Sequence, residues 1–200
     1  MKHIVIHLLS TSEIEEKEEE FLSFVTDERR DKAKSYLAHE KRLEALGSGY
    51  FLKKYTDATK ELQYGKYGKP YKDGEFFSLS HSHGYVGFVL CDVACGLDIE
   101  KIRPMKEKMF SYILSDDEKK DFVSDKDFMV AWTRKEAIVK TLGGSIFADI
   151  KKIPSDEGKV SFEGETYFVS TLTYSDYVIS VSLLGEEEIS LEIRKEEISF

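Results

Sequence analysis

Two carboxylates with the spacing of one strand face are the first residues in this sequence that could do chemistry. In the motif G-L-D-I-E at 96–100, a strand would turn Asp98 and Glu100 to one side and Leu97 and Ile99 to the other. Adjacent carboxylates repel unless a cation lies between them, and oxygen-only ligands suit a hard ion such as Mg²⁺. The alternative is an ordinary strand end with solvated acids, because the D-x-E pattern alone is common.

A second candidate is a helix that carries a carboxylate and two lysines. In the segment F-M-V-A-W-T-R-K-E-A-I-V-K at 128–140, Trp132, Glu136 and Lys140 recur every four residues and share a helix face. Glu136 is then a candidate third ligand for the metal, and Lys135 and Lys140 are candidates for binding phosphate. The alternative is a surface Glu–Lys pair below a Trp that faces the core.

Upstream, a histidine and a lysine allow two interpretations each. His81 lies between two serines after the predicted strand Phe76–Ser80, and Lys69 stands between Gly68 and Pro70 in a turn. Both side chains could contact a phosphate. The alternatives are a structural histidine among loop hydroxyls and a lysine in an ordinary turn.

Local patterns predict the elements that must position these side chains. Helical patterns run, with breaks, over Glu28–Tyr55, Ser115–Phe122 and Asp125–Leu142. Thr26 or Asp27 is the expected cap of the first, where Gly47 and Gly49 predict a close approach of backbones, and Ser115 with Glu118 is the expected capping box of the second. Strand patterns occur at Lys2–Leu9, Phe76–Ser80, Tyr85–Cys91, Gly96–Ile99, Thr166–Leu172, Tyr177–Leu183 and Ile189–Ile193. Each half thus has helices followed by three strands, which we interpret as an antiparallel meander. This order predicts two related subdomains, 1–104 and 105–200.

Composition favours a folded protein outside the membrane. The 200 residues are 41% hydrophobic and 12% aromatic, which is enough for a core and atypical of disorder. No apolar run reaches the roughly 20 residues of a membrane helix. The short apolar N-terminus runs into acidic residues without a cleavage site, so we expect a buried first strand and no signal peptide. Cys91 and Cys95 are too few for a disulfide framework, and we expect a cytoplasmic location.

The charge distribution is uneven. The net charge of −9 argues against nucleic acid as a partner, but residues 26–72 carry 12 Lys and Arg against 7 Asp and Glu. A basic region on an acidic protein suggests a site for a phosphorylated ligand or for an acidic protein surface. The alternative is a solvated helix face with ion pairs.

Taken in order, four motifs resemble those of the 4′-phosphopantetheinyl transferases, specifically the larger, surfactin-synthetase-activating type. They are G-K-P at 68–70, F-x-L-S-H-S at 77–82, G-L-D-I-E at 96–100 and W-T-R-K-E-A-I-V-K at 132–140. The resemblance implies an α/β (α+β) fold of two similar subdomains, each with helices and a small antiparallel sheet, about a pseudo-twofold axis. It also implies a monomer with coenzyme A in the cleft between the subdomains.

The resemblance further implies a reaction and its metal. The expected activity is Mg²⁺-dependent transfer of 4′-phosphopantetheine from coenzyme A to a serine of an apo acyl or peptidyl carrier protein. Asp98, Glu100 and Glu136 would hold Mg²⁺, and Asp98, Glu136 and Lys140 would be the catalytic residues. Glu136 is the candidate base. Two alternatives are a non-catalytic coenzyme A-binding protein of the same fold and another Mg²⁺-dependent phosphoryl-transfer enzyme.

The same resemblance implies a set of coenzyme A contacts. These are Arg42, Lys69, His81, Lys135 and Lys140, with Arg29 and Lys32 as further members of the basic patch. After the helix that carries the motif W-T-R-K-E-A-I-V-K, the family often has a G-x-G-like turn. This chain has Gly143-Gly144-Ser145 there, so the resemblance is weaker at that loop.

Overall fold

The structure is a computed structural model that describes residues 1–57, 59–65, 68–144 and 150–200. Its helices are α1 (Thr11–Glu16), α2 (Glu18–Phe24), α3 (Asp27–Ser35), α4 (His39–Tyr55), α5 (Glu107–Ile113), α6 (Glu118–Asp121) and α7 (Asp125–Thr141), with a 3₁₀ turn at Ile150–Lys152. Its strands are β1 (Lys2–Ser10), β2 (Gln63–Tyr64), β3 (Pro70–Tyr71), β4 (Phe76–Ser82), β5 (Tyr85–Cys91), β6 (Cys95–Lys101), β7 (Gly158–Phe162), β8 (Glu165–Tyr174), β9 (Tyr177–Leu184) and β10 (Ile189–Lys195).

Two four-stranded sheets and one two-stranded ribbon organise the fold. The first sheet has the strand order β10-β1-β5-β4 and the second the order β6-β9-β8-β7, while β2 pairs with β3. These pairings are antiparallel except that of β1 with β10, which is parallel and aligns Lys2 with Ile189. The prediction of a mixed α+β chain with small sheets is confirmed.

The third strand of each predicted meander was assigned to the wrong partner. β6 leaves β5 and pairs with β9, and β10 leaves β9 and pairs with β1. The buried strand β1 needs a hydrogen-bonding neighbour on each side, and it takes β5 and β10. One edge of β9 is then free for β6. The division into 1–104 and 105–200 stays a prediction, and each sheet takes one strand from the far side of that boundary.

Helices cover one face of each sheet. α4 packs on the first sheet, where the rings of Phe51 and Phe88 stack with their centroids 5.5 Å apart. A Cβ atom on Gly47 would lie 2.8 Å from Ile14 Cδ1, so this glycine lets α4 approach α1 closely, as the sequence suggested. α7 packs on β6 and β9 of the second sheet. Within the described residues, no helix has the length and apolar character to cross a membrane.

Side-chain caps fix the start of α3 and of the turn that leads into α6. The helical region predicted over 28–55 is two helices, α3 and α4, separated by residues 36–38. Thr26 caps α3 by accepting the Arg29 N–H at 3.4 Å, as predicted. Ser115 and Glu118 form the predicted capping box, with contacts of 2.7 and 3.2 Å. Each cap satisfies N–H groups that the helix itself leaves unpaired.

Candidate active site

The edge strands β4 and β6 face each other, and serine side chains join the two sheets there. Ser78, Ser80 and Ser82 alternate along β4 and form what we call the serine ladder. Their Oγ atoms accept the N–H groups of every second residue of β6: Leu97 at 3.0 Å, Ile99 at 3.1 Å and Lys101 at 3.4 Å. Hydroxyls therefore replace the usual backbone ladder at this junction.

The alternation predicted for β6 is observed. Leu97 and Ile99 are buried in the core, while Asp98 and Glu100 lie on the opposite face of the strand. Ser80 Oγ donates to Asp98 Oδ1 at 3.1 Å, and Ser82 Oγ donates to Glu100 Oε2 at 2.9 Å.

Helix α7 lies directly against β6 because residue 96 has no side chain. A Cβ atom on Gly96 would overlap the carbonyl oxygen of Ala137 and lie 2.7 Å from Thr141 N. Because backbone atoms cannot yield as a flexible side chain can, only glycine fits there. This contact brings Glu136 and Lys140 over the carboxylates of β6.

Lys140 is bound to the strand beneath it. Its Nζ donates to Asp98 Oδ1 at 2.8 Å, Leu97 O at 2.9 Å and Ser80 Oγ at 3.0 Å. These three acceptors match the three protons of an ammonium group. The predicted pairing of Glu136 with Lys140 as a surface ion pair is absent among the described contacts, since Lys140 turns to Asp98.

Three carboxylates share this region and perturb one another. Burial raises the pKa of Asp98, against the opposing effects of Lys140 and Ser80. Burial and the charge of Asp98 raise the pKa of Glu100, in that order. Burial, and then the charges of Asp98 and Glu100, raise the pKa of Glu136 to about 7, although Lys140 opposes them. The site therefore disfavours three negative charges at once.

Two of these carboxylate oxygens are buried without a hydrogen-bond partner. They are Asp98 Oδ2 and Glu136 Oε1. As the side chains stand, no group of three or more His, Cys, Asp or Glu within the described residues is arranged to hold a metal ion. Unpaired buried oxygens are costly, and a cation would satisfy them. The donor atoms thus fit a hard cation such as Mg²⁺ in kind.

A central cavity of about 300 Å³ opens beside these carboxylates. Its lining includes Lys69, Phe77, Glu136 and Lys140. The Nζ of Lys69 donates to Lys140 O at 2.6 Å and Cys95 O at 2.9 Å, so this ammonium lies at the C-terminal end of α7. Burial lowers the pKa of Lys69, with a smaller contribution from the charge of Lys140.

A second cavity, the basic cavity, lies between α3, α4 and β4. It encloses about 220 Å³, and its charged lining is Arg29, Lys32, Lys41, Glu44 and His81. Arg29 is buried, and its Nε has no hydrogen-bond partner among the described residues. Four cationic or potentially cationic side chains around one carboxylate suit an anionic ligand.

Glu44 organises one wall of the basic cavity. Its Oε2 lies 2.7 Å from Lys41 Nζ and 3.1 Å from His81 Nδ1. Burial works to raise the pKa of Glu44, but the hydrogen bonds from His81 and Lys41 outweigh it and lower the pKa. The ionised carboxylate therefore orients both side chains toward the cavity.

Two of the predicted phosphate contacts lie elsewhere. Lys135 is fully buried, and its Nζ donates to Glu118 Oε2 at 2.7 Å and to the carbonyl of Ile113 at 3.1 Å, which leaves it turned away from the central cavity. Arg42 is outside the residues that line the basic cavity. Its Nε forms an ion pair with Glu18 Oε1 at 2.7 Å, at an angle outside hydrogen-bond geometry. Each lies one helix position, about 100°, from a residue that faces a cavity.

Lys41, Glu44 and the carboxylate contacts of the serine ladder belong to the two sites but were not among the predicted site residues. Lys41, Glu44 and Ser48 follow the helical i, i+3, i+7 spacing, so the face of α4 that lines the basic cavity was readable from the sequence. The predicted turn at 143–145 begins with Gly143 at φ +69°, a conformation that favours glycine. Ser145 lies outside the described residues.

Comparisons with known proteins agree with this arrangement. Residues 94–182, which contain Asp98, Glu100, Glu136 and Lys140, match the family model of the 4′-phosphopantetheinyl transferase superfamily. The chain is an enzyme of the transferase class. The 4′-phosphopantetheinyl transferase Sfp of Bacillus subtilis is 27% identical over 168 residues, 74% of this chain and 75% of that protein. The chain is thus similar to this superfamily over residues 94–182 and to Sfp over about three quarters of its length.

Other similarities cover less of the molecule. The 4′-phosphopantetheinyl transferase AcpT of Escherichia coli is 39% identical over 99 residues, 42% of this chain and 50% of that protein. The chain thus spans about half the length of AcpT. The holo-[acyl-carrier-protein] synthase of Thermotoga maritima aligns with 48% of this chain and 64% of its own, at 18% identity and a TM-score of 0.37.

Proposed function

We propose that the protein transfers 4′-phosphopantetheine from coenzyme A to a serine of an apo acyl or peptidyl carrier protein, with release of adenosine 3′,5′-bisphosphate. The observation that carries this proposal is the pair of buried carboxylate oxygens without partners, Asp98 Oδ2 and Glu136 Oε1, beside Lys140. These residues lie within the segment that matches the family model. We propose that the enzyme acts as a cytoplasmic monomer.

Asp98, Glu100 and Glu136 are the residues that would hold Mg²⁺. Their oxygens are of the kind that Mg²⁺ prefers, and burial has already raised the pKa of all three. When bound, Mg²⁺ would neutralise negative charge on the pyrophosphate of coenzyme A and on the leaving group.

Lys140 and Lys69 would contribute positive charge from the chain itself. Both residues line the central cavity. Their ammonium groups already donate to oxygens of the protein, so they would act on a phosphorylated ligand there through their charge. Phosphoryl transfer depends chiefly on positioning and electrostatic stabilisation, which two fixed cations can supply. Lys135 has no part in this proposal, because its ammonium is buried against Glu118.

The basic cavity would bind the 3′-phosphate end of coenzyme A. Arg29, Lys32, Lys41 and His81 line it, and Glu44 holds two of them in place. The buried, unpartnered Nε of Arg29 is a donor that a phosphate oxygen would satisfy. In this proposal Lys41 takes the role that the sequence had suggested for Arg42.

Glu136 is the candidate base for the carrier serine. Its pKa of about 7 lets the carboxylate accept a proton near neutral pH. A bound cation would lower that pKa, so the ligand role and the base role compete for one side chain.

Intact-mass spectrometry tests the proposal. An apo carrier protein is incubated with the enzyme, coenzyme A and Mg²⁺, with EDTA and the Asp98→Asn variant as parallel controls. We expect a metal-dependent mass gain of one phosphopantetheine with the wild-type enzyme only. If fatty-acid, polyketide and peptide carrier proteins all stay unmodified while the folded enzyme binds coenzyme A, the non-catalytic alternative replaces the proposal.

A further inference from the structure

Two hydroxyls of the serine ladder do more than join the strands. Ser80 contacts Asp98 and Ser82 contacts Glu100, in addition to the N–H groups that each accepts from β6. Ser78 accepts the Leu97 N–H in the same way, but its described hydrogen bonds include no carboxylate. Ser80 and Ser82 therefore bind both a backbone N–H group and a carboxylate, whereas Ser78 binds the N–H group alone among the described contacts.

The direction of the Ser80 hydrogen bond is fixed by its neighbours. A hydroxyl has one proton to donate and accepts about two hydrogen bonds. Ile99 N–H at 3.1 Å and Lys140 Nζ at 3.0 Å can only donate to Ser80 Oγ, and they fill its acceptor positions. The remaining proton must point to Asp98 Oδ1. This bond holds the carboxylate so that Oδ2 is the oxygen left without a partner.

Ser82 holds Glu100 in a similar way. It is 6% exposed, and its Oγ lies 2.9 Å from Glu100 Oε2, 3.1 Å from His83 Nδ1 and 3.4 Å from Lys101 N. The shortest of these contacts is the one to the carboxylate, and hydrogen bonds to an ionised acceptor are the strongest of the set. Glu100 is thus oriented through Oε2, and the hydrogen bonds among the described residues include none to its Oε1.

We infer that Ser80 and Ser82 are positioning residues, which set the orientation of Asp98 and Glu100 for a divalent cation. The inference rests on the proposed function, because those carboxylates are the proposed Mg²⁺ ligands. Ser80 and Ser82 lie on β4, outside the segment 94–182 that matches the family model. The affinity for the metal would then depend on both sheets. Hydrogen-bond partners behind metal ligands typically contribute roughly 10- to 100-fold to metal affinity or activity.

Ser82→Ala and Ser78→Ala form a matched pair for the test. Each removes one hydroxyl and one acceptor for a β6 N–H, but only Ser82→Ala removes a carboxylate contact. The readouts are the Mg²⁺ concentration that gives half of the metal-induced rise in melting temperature, and the Mg²⁺ dependence and coenzyme A KM of transfer. Ser82→Ala should raise the half-saturating Mg²⁺ concentration roughly 10-fold, and Ser78→Ala less than about 2-fold.

A conservative variant separates orientation from packing. Ser82→Thr keeps the hydroxyl and should recover most of the Mg²⁺ affinity, while the coenzyme A KM stays near the wild-type value in all three variants. Equal Mg²⁺ affinities of Ser82→Ala and Ser78→Ala would overturn the inference, even with transfer intact in the wild type. Absence of Mg²⁺ binding to the wild type would overturn it as well.

Failure of the proposed function looks different. If the wild type binds Mg²⁺ but modifies no carrier protein, the proposed reaction is wrong. Loss of Mg²⁺ affinity in Ser82→Ala alone would then still support the positioning role, because the melting-temperature readout needs no transfer.

Discussion

Two buried carboxylate centres in this molecule differ in whether their oxygens are satisfied. At the first, Glu196 is buried and receives hydrogen bonds from Lys54 Nζ at 2.6 Å, Tyr55 OH at 2.9 and 3.0 Å and His7 Nδ1 at 3.0 Å. Burial works to raise the pKa of Glu196, but these donors outweigh it and lower the pKa. The charge is stabilised within the fold, as in a structural centre.

At the second centre, Asp98 and Glu136 are as buried as Glu196, yet each keeps an oxygen without a partner and each has a raised pKa. Burial alone therefore does not distinguish a site from a structural element. The distinguishing features are unsatisfied atoms and carboxylates that raise one another's pKa. Four predictions test this distinction.

The largest effect is expected on activity at the second centre. Asp98→Asn removes one proposed ligand and the ionic partner of Lys140, so transfer should fall on the order of 1,000-fold, about 4 kcal/mol of transition-state stabilisation. Initial rates of carrier-protein modification measure the loss. The melting temperature of the variant serves as the control and should stay close to that of the wild type. Near wild-type rates would remove Asp98 from the site.

At the first centre, the loss should be in stability. Glu196→Ala leaves Lys54, Tyr55 and His7 without their shared acceptor, so the free energy of unfolding should fall by about 3 kcal/mol. Urea unfolding measures it, and the transfer rate per folded molecule should be unchanged. A stability loss below about 1 kcal/mol would show that the two centres are less different than their hydrogen bonds indicate.

A third prediction concerns pH in the metal-free protein. The pKa of Glu136 is about 7 in the folded state against an ordinary 4.5, so the folded state binds a proton more tightly than the unfolded state. Stability should then fall as the pH rises from about 4.5 to about 7, by up to about 3 kcal/mol from this group. Glu136→Gln should remove that dependence and be the more stable protein at pH 8.

Urea unfolding in EDTA from pH 4.5 to 8 checks the sign of this effect. Added Mg²⁺ should narrow the difference in the free energy of unfolding between wild type and Glu136→Gln at pH 8, because a cation stabilises only the ionised wild-type side chain. Parallel pH profiles of wild type and Glu136→Gln would contradict the raised pKa.

The smallest effects are expected on coenzyme A binding, in a comparison of two arginines. Arg29 lines the basic cavity and its buried Nε has no hydrogen-bond partner, whereas Arg42 lies outside that lining and forms an ion pair with Glu18, although its Nε too is outside hydrogen-bond geometry. Arg29→Ala should weaken coenzyme A binding about 10-fold, since hydrogen bonds to charged groups contribute about 1.5 kcal/mol or more. Arg42→Ala should change it less than about 2-fold. Isothermal calorimetry with coenzyme A distinguishes them, and the reverse ranking would restore Arg42 to the site.

Periodicity predicted those parts of the site that one element determines. The strand spacing of Asp98 and Glu100 and the helical spacing of Glu136 and Lys140 were enough to place each pair on one face. The capping residues Thr26 and Ser115 were predicted for the same reason, because each acts within three residues of its own position.

Contacts between distant elements were not predictable in this way. Lys135 could be assigned to a phosphate because nothing near it in sequence reveals its partner Glu118, 17 residues earlier. β10 joins the first sheet because it pairs with β1, and β6 joins the second sheet because it pairs with β9. The serine ladder forms only because β6 then lies against β4. Both are properties of the assembled fold, in which non-local pairing overrides local order.

The parallel pairing of β1 with β10 also sets an order of folding. Lys2 pairs with Ile189, so the interior strand of the first sheet finds its second neighbour only after almost all of the described chain is available. Closing so long a loop is slow compared with forming hairpins such as β4–β5 or β8–β9. During synthesis β1 therefore keeps an open edge until β10 is available, and an unpaired strand edge favours aggregation.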